Sequence, residues 1–120
     1  MITILALPRP FEGPFDIIQR NAIKSWTLLR PKCEIILFGN EKGTAEIARE
    51  LNLKHIPELS MNEFGTPLLN DIFTKAQKSA SFEILAKVNA DNILMNDFLS
   101  TIQQIQKIKQ AFDTKNFPLL

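Results

Sequence analysis

The chain has 120 residues and a mass of 13.7 kDa, which corresponds to one domain large enough for a hydrophobic core of its own. Hydrophobic residues make up 45% and charged residues 22% of the sequence, a globular composition that argues against disorder. The formal net charge is +1 and the basic residues are dispersed, so the composition argues against binding to nucleic acid or to a membrane surface.

The chemistry-bearing residue types are sparse. A single cysteine, Cys33, excludes an internal disulfide, and a single histidine, His55, excludes a Cys/His zinc cluster. The longest apolar runs have about seven residues, whereas a membrane-spanning helix needs about 20. The N-terminus also lacks the basic-then-apolar pattern of a signal peptide. We therefore expect a cytoplasmic protein with a reduced cysteine and no transmembrane segment.

The first third of the chain predicts a strand, a loop and a helix. Residues 1–7 form a β-branched apolar run that ends at Pro8, and residues 8–14 contain three prolines and a glycine, which indicates a structured loop. Residues 15–29 repeat apolar side chains at three- and four-residue spacing and predict a helix that Pro31 ends. The expected buried face of this helix consists of Ile18, Ala22, Trp26 and Leu29.

The middle of the chain continues the alternation. Residues 34–38 are a nearly continuous apolar run before Gly39, typical of a strand covered on both faces. Residues 44–51 predict a helix and residues 54–57 a short strand. The next helix begins at Thr66 as N-cap and Pro67 as first helical residue. Its expected inner face consists of Leu69, Ile72, Phe73, Ala76 and Ala80.

The last third predicts a strand over residues 82–89, a turn at 90–92 and an amphipathic helix capped by Asn96 or Asp97. The inward residues of that helix are Phe98, Ile102, Ile105 and Phe112. Residues 117–120 read as the opening of another strand. The sequence therefore looks as if it ends within the architecture.

Strands that alternate with helices predict parallel pairing through right-handed crossovers. We expect a single α/β domain over residues 1–120, with a Rossmann-like three-layer αβα arrangement, a mainly parallel sheet and the strand order 3-2-1-4. In this order the winding reverses between strands one and four, and ligands of open parallel sheets bind at that reversal. The loops at the carboxyl ends of these strands, residues 7–13 and 89–92, would flank the crevice and bring Asp91 to it.

Other phosphate-binding motifs do not fit. No G-x-G-x-x-G follows the first strand, which argues against a dinucleotide site, and residues 39–44 reverse the Gly-Lys order that a P-loop requires. A phosphoryl-accepting receiver domain would carry acidic residues at the end of strand one, where this chain has Ala6, Leu7 and Pro8.

Five stretches of the sequence are distinctive in their order and spacing: residues 8–11 (PRPF), 19–26 (QRNAIKSW), 35–41 (IILFGNE), 62–68 (NEFGTPL) and 88–94 (VNADNIL). Together they resemble bacterial nucleotide-diphospho-sugar transferases with the type A glycosyltransferase fold. The resemblance covers nearly the whole chain but only the nucleotide-binding, N-terminal part of that family. It implies a truncated version of the fold that lacks the acceptor-binding half, so self-sufficient catalysis is in doubt.

The resemblance implies a nucleoside-diphosphate-sugar donor, with residues 89–91 at the place of the family's Asp-x-Asp motif. Asp91 would bind Mn²⁺ or Mg²⁺, since these hard cations prefer oxygen and can share one carboxylate with the donor's phosphates. Asn89 would contact the ribose or a water molecule. Because Asn89 adds no charge, the metal affinity should be lower than that of a two-aspartate site.

The resemblance implies further donor contacts. The loop with Pro8, Arg9 and Phe11 would lie against the nucleoside, with Arg9 or Phe11 near the base or phosphate. Thr66 would lie near the diphosphate, at a helix N-terminus whose free N–H groups suit an anion. Asn40 departs from the family, which usually has aspartate there, and this puts a carboxylate contact with the nucleoside in doubt.

Each of these residues also has a structural interpretation. Asp91 and Asn89 are common turn residues, Thr66 is first of all a helix cap, and Arg9 would otherwise be a surface charge. Trp26, His55 and Cys33 are expected to be structural.

Two functions remain open at this point. The first is a glycosyltransferase-like domain that binds a sugar nucleotide with a divalent metal and transfers the sugar to an unknown acceptor. The second is a non-catalytic half-domain that binds a nucleotide or a protein. In that case the unfinished sheet edge would be covered by a partner chain or by a second copy.

Overall fold

A computed structural model describes residues 2–59, 69–81 and 84–94, with Leu69 described by its backbone alone. Seven elements alternate along the chain: β1 (Ile2–Ala6), α1 (Pro14–Thr27), β2 (Glu34–Phe38), α2 (Thr44–Glu50), β3 (Lys54–Ile56), α3 (Leu69–Ser79) and β4 (Ile84–Lys87). Their order and their bounds, to within two or three residues, agree with the prediction. The predicted starts at Thr66 and at Asn96 or Asp97, and the strand at 117–120, lie outside the described residues.

The four strands form one parallel sheet in the order β3-β2-β1-β4, as predicted. Thr3 of β1 pairs with Glu34 of β2 on one side and with Leu85 of β4 on the other. Because β1 lies in the centre, the crossover from β1 to β2 runs one way across the sheet and the connection to β4 runs the other. The reversal of winding therefore falls between β1 and β4.

Apolar side chains cover the sheet on both faces, which gives three layers. Alternate residues of β1 point to opposite sides, so Ile4 packs under α1 and α2 while Leu5 packs under α3. On the first side the helices contribute Ala22, Ile23, Trp26, Ile47 and Ala48. On the second side α3 contributes Ile72 and Ala76, both predicted to face inward. The predicted αβα arrangement is confirmed.

The buried face of α1 differs from the prediction at its first residue. Ile18 is 44% exposed, and the buried helix residues are Gln19, Ala22, Ile23 and Trp26. A helix turns about 100° per residue, so the centre of this face lies about 90° from Ile18. The prediction was wrong because it used the spacing of apolar residues alone, whereas the polar residue Gln19 lies on the buried face. Leu29 is buried as predicted, but it lies beyond the helix end.

Among the described residues, no helix is both long enough and apolar enough to cross a membrane.

Candidate functional site

A small crevice opens where the sheet reverses its winding, at the carboxyl ends of β1 and β4. Its volume is about 150 Å³, and its walls come from the loop after β1, the first turns of α1 and the turn after β4. The lining residues are Leu7, Arg9, Phe15, Gln19, Asn89, Ala90 and Asp91. Three residues that were predicted as donor or metal contacts, Arg9, Asn89 and Asp91, therefore share one crevice.

Gln19 fixes the backbone of the loop after β1. The Arg9 N–H donates to Gln19 Oε1 at 2.8 Å, and Gln19 Nε2 donates to the Arg9 carbonyl at 2.9 Å. Gln19 is 2% exposed, so both hydrogen bonds are shielded from water and both polar ends of the amide are satisfied. This two-point contact holds Arg9 in position at the crevice.

The Arg9 side chain lies against an aromatic ring. Its guanidinium carbon is 5.3 Å from the centroid of Phe15, within the range of a cation–π contact. Arg9 itself is exposed, and Phe15 is 43% exposed. The ring orients the planar guanidinium, whose N–H donors match the oxygen atoms of a phosphate group.

The turn after β4 is held by two backbone hydrogen bonds and by one hydrogen bond from a side chain. Val88 N–H donates to Leu5 O at 2.8 Å, which continues the pairing of β4 with β1, and Asn92 N–H donates to Asn89 O at 3.0 Å, which closes the turn. The Trp26 indole N–H then donates to Asn92 O at 2.7 Å. Trp26 is fully buried, so this hydrogen bond ties the turn to the interior of the domain.

Within this turn the residues alternate in exposure. Ala90 is buried, whereas Asn89 and Asp91 are exposed and line the crevice. The turn therefore presents the Asp91 carboxylate and the Asn89 amide to solvent. Its conformation is held by the hydrogen bonds of its backbone and by Trp26, and not by these two side chains.

The donor atoms at the crevice fit a hard divalent cation only in part. Asp91 offers carboxylate oxygens and Asn89 an amide oxygen, the ligand types that Mg²⁺ and Mn²⁺ prefer. No group of three or more His, Cys, Asp or Glu side chains that could hold a metal occurs among the described residues. A cation at Asp91 would therefore take most of its ligands from water and from the phosphates of a bound donor.

Phe11 and Pro8 lie in the interior and are not among the residues that line the crevice. Both are buried, with Phe11 6% exposed. The Phe11 N–H donates to Lys42 O at 2.8 Å, and a Cβ at Gly43 would lie only 2.6 Å from Phe11 Cβ. Phe11 thus anchors the first loop to the loop between β2 and α2. The donor contacts predicted for both residues stay predictions.

Two other predicted site residues lie apart from the crevice. Thr66, predicted near a diphosphate, lies outside the described residues. Asn40 is exposed in the loop after β2 and is not among the crevice-lining residues.

The remaining reactive side chains have structural environments. Cys33 is 5% exposed, and burial raises the pKa of its thiol, which disfavours the thiolate that a nucleophile needs. His55 Nε2 lies 2.7 Å from the Gly39 carbonyl and helps to join the ends of β3 and β2.

Sequence reasoning missed two contributors to the crevice. Gln19 begins one of the five distinctive stretches, but its role was not predicted, because this role depends on a backbone ten residues away. Phe15 was taken only as the first residue of a helix. The position of Phe15 four residues before Gln19 was the available signal, since residues at this spacing lie on one side of a helix.

Comparison with known proteins adds no relationship to these observations: no family model, no curated protein and no solved structure matches this chain.

Proposed function

We propose that this domain binds a nucleoside-diphosphate sugar together with Mn²⁺ or Mg²⁺ at the crevice between β1 and β4, as a glycosyltransferase-like domain does. The observation that carries the proposal is that a cation, Arg9, and a carboxylate, Asp91, line one crevice at the reversal of the sheet. A diphosphate with its divalent metal needs both kinds of group, one for the phosphate oxygens and one for the metal.

The volume of the crevice limits which part of the donor it could hold. Its 150 Å³ is about the volume of five water molecules and lies below the 300–1,000 Å³ of typical small-molecule pockets. The described walls therefore suit the diphosphate and the metal, and the nucleoside and the sugar would extend beyond them. Four of the seven lining residues, namely Arg9, Gln19, Asn89 and Asp91, have polar side chains, which suit a charged diphosphate and a metal.

The residues would act mainly by binding and orienting the donor. Arg9, positioned by Gln19 and by the Phe15 ring, would hold phosphate oxygens through its guanidinium N–H donors. Asn89 would donate to the ribose or to a water molecule, and Asp91 would bind the metal. A divalent cation held there supplies Lewis-acid stabilisation of the charge that develops on the leaving diphosphate.

The second candidate is a non-catalytic module that binds a nucleotide or a protein. It is favoured by large apolar side chains on the surface of α1 and its C-terminal cap, where Ile17 is 65% and Leu28 is 70% exposed. These two residues lie on one side of the helix, because eleven residues correspond to about three helical turns, and the exposed Asn21 and Lys24 lie between them. A mixed surface of this kind is suited to contact with a partner chain or with a second copy.

Thermal unfolding with UDP, GDP and their sugars, with and without Mn²⁺, separates metal-dependent donor binding from a module that binds only a protein. A ligand at 100 times its Kd stabilises the folded state by about 2.7 kcal/mol, which raises the Tm of a domain of this size by several degrees. We expect a shift that requires both nucleotide and Mn²⁺. The absence of a shift with every nucleotide would favour the protein-binding module.

Two variants test the assignment of residues. Asp91→Asn removes the charge but keeps the shape, and it should abolish the Mn²⁺-dependent part of the shift. Glu41→Gln removes a carboxylate from an exposed position that does not line the crevice, and it should leave the shift unchanged. Equal loss in both variants would mean that general electrostatics, rather than the crevice, attracts the metal.

A further inference from the structure

A second and larger cavity lies at the opposite edge of the sheet from the crevice. Its volume is about 490 Å³, within the range typical of small-molecule sites. It is bounded by the first residues of β2 and β3 and by the segments that follow the C-terminal ends of α1 and α2. The cavity therefore shares no lining residue with the crevice and is separated from it by the length of the sheet.

The inner wall of this cavity is apolar. Ile35 is 4% and Cys33 5% exposed, and the half-buried Leu51 and Leu53 flank them. Leu51 and Leu53 pack against the main core cluster as well, so the wall is part of the folded interior. Such a surface suits the apolar body of a ligand, because burying it removes apolar area from water.

The rim of the cavity carries an excess of positive charge. Its described walls contain three cationic side chains, Arg30, Lys32 and Lys54, and one carboxylate, Glu34. Lys54 Nζ lies 2.7 Å from Glu34, so this pair is mutually neutralised. Arg30 and Lys32 add two further positive charges, both on exposed residues.

The C-terminal ends of two helices compensate part of this charge. α1 and α2 both point their C-termini toward this edge, and each helix end carries a partial charge of about −0.5. Arg30 contacts the C-terminal end of α1 directly, because its Nη1 donates to the carbonyls of Thr27 at 3.0 Å and Leu29 at 2.9 Å. Lys54 and Arg30 are both engaged in contacts, and Lys32 is the cation of this rim that has no hydrogen bond or ion pair with the described residues.

We propose that this cavity is a binding site for a compact organic anion: an apolar body that packs on Cys33, Ile35, Leu51 and Leu53, and a carboxylate or phosphate that faces Lys32. Sufficient volume, an apolar wall and a cation without an ion-pair partner at the rim are the three properties that such a ligand requires. The site is independent of the proposed sugar-nucleotide function, because the two cavities lie at opposite edges of the sheet.

The proposal is tested by NMR titration of the ¹⁵N-labelled 120-residue chain with benzoate, phenyl phosphate and benzyl alcohol. Benzoate or phenyl phosphate should cause saturable shifts in the amides of residues 27–35 and 51–54, and the tighter of the two identifies the anionic group. Benzyl alcohol, which has the apolar body without the charge, should bind more weakly than both. Shifts centred on residues 7–19 and 89–91, shifts that do not saturate, or equal binding of the neutral compound would overturn the proposal.

A matched pair of variants and a second readout distinguish a loss of ligand binding from a loss of folding. Lys32→Gln should weaken binding about three- to fivefold, the size expected for one exposed charge, whereas Lys24→Gln on the outside of α1 should not change it. Cys33 is the single cysteine of the chain and forms part of the apolar wall, so its alkylation by iodoacetamide gives a second readout. A ligand at ten times its Kd should slow alkylation about tenfold, and an unchanged rate would contradict occupancy of this cavity.

Discussion

Glu34 offers the sharpest test of how the sheet is held together at its amino edge. Its carboxylate accepts hydrogen bonds from Thr3 Oγ1 at 2.9 Å, from Ser81 N at 2.8 Å and from Ser81 Oγ at 3.0 Å, and Lys54 Nζ lies 2.7 Å away. One side chain therefore joins β1, β2, β3 and the segment before β4. Desolvation alone would raise the pKa of Glu34, but the contacts with Lys54, Ser81 and Thr3 together lower it to about 2.

The pKa difference gives the expected size of the effect. The ordinary value is 4.5, and the difference from about 2 corresponds to about 3 kcal/mol at roughly 1.4 kcal/mol per pKa unit. Because the folded-state pKa is the lower one, the ionised carboxylate stabilises the fold fully above pH 4.5. That stabilisation is lost as the pH falls from 4.5 toward 2.

Glu34→Gln should therefore lower the free energy of unfolding by about 2–3 kcal/mol at pH 7. The glutamine keeps the shape and one acceptor but loses the charge that Lys54 and Ser81 contact. Urea unfolding followed by circular dichroism at several pH values measures the difference. The gap between wild type and variant should narrow below pH 4.5 and nearly close at pH 2.

Glu41→Gln, at an exposed position, is the matched control and should change the free energy of unfolding by less than about 0.5 kcal/mol at any pH. A Glu34→Gln variant as stable as wild type at pH 7 would refute the reasoning. So would a difference that stays constant down to pH 2, since that would come from packing and not from ionisation.

Three further variants test the loop that carries Arg9 and the loop after β2 that contacts it. Gln19→Leu should cost about 2–3 kcal/mol and should speed hydrogen exchange of the Arg9 amide, because its buried partner is removed; unchanged exchange would contradict the two-point contact. Gly43→Ala should destabilise more than Gly39→Ala, as measured by urea unfolding. Both glycines have φ between 85° and 90°, but a Cβ at Gly43 meets Phe11 Cβ at 2.6 Å, whereas a Cβ at Gly39 meets the end of a flexible leucine side chain. Equal losses would show that backbone strain, not the Phe11 contact, sets the cost.

The strand order and the position of the crevice were predictable because they follow from chain-level rules. Apolar runs that alternate with helical periodicity predict parallel strands, and with β4 beside β1 the sheet has the order β3-β2-β1-β4. Once this order is given, the loops that flank the reversal of winding are fixed, which is why Asp91 could be placed at the crevice in advance. Arg9 and Asn89, which also line the crevice, were singled out by the resemblance to sugar-nucleotide transferases.

Polar contacts between distant residues were not predictable in this way. Glu34 read as the edge of an apolar run, but its partners Thr3 and Ser81 lie 31 and 47 residues away. Trp26 was expected to pack in the core, and it does, but its indole N–H also holds the turn at Asn92, 66 residues away. Gln19 was overlooked for the same reason. A polar residue on a buried face is explained only by a partner that the fold brings to it.

The central claim is that a divalent metal and a sugar nucleotide meet at Asp91, and Mn²⁺ itself can report its location. Paramagnetic broadening of ¹⁵N-labelled amides should be strongest at residues 89–92 and at Arg9 when Mn²⁺ and a nucleoside diphosphate are both present. The broadening should be much weaker with Mn²⁺ alone and should disappear in Asp91→Asn. Broadening centred elsewhere in the chain, or broadening that persists in Asp91→Asn, would contradict the account.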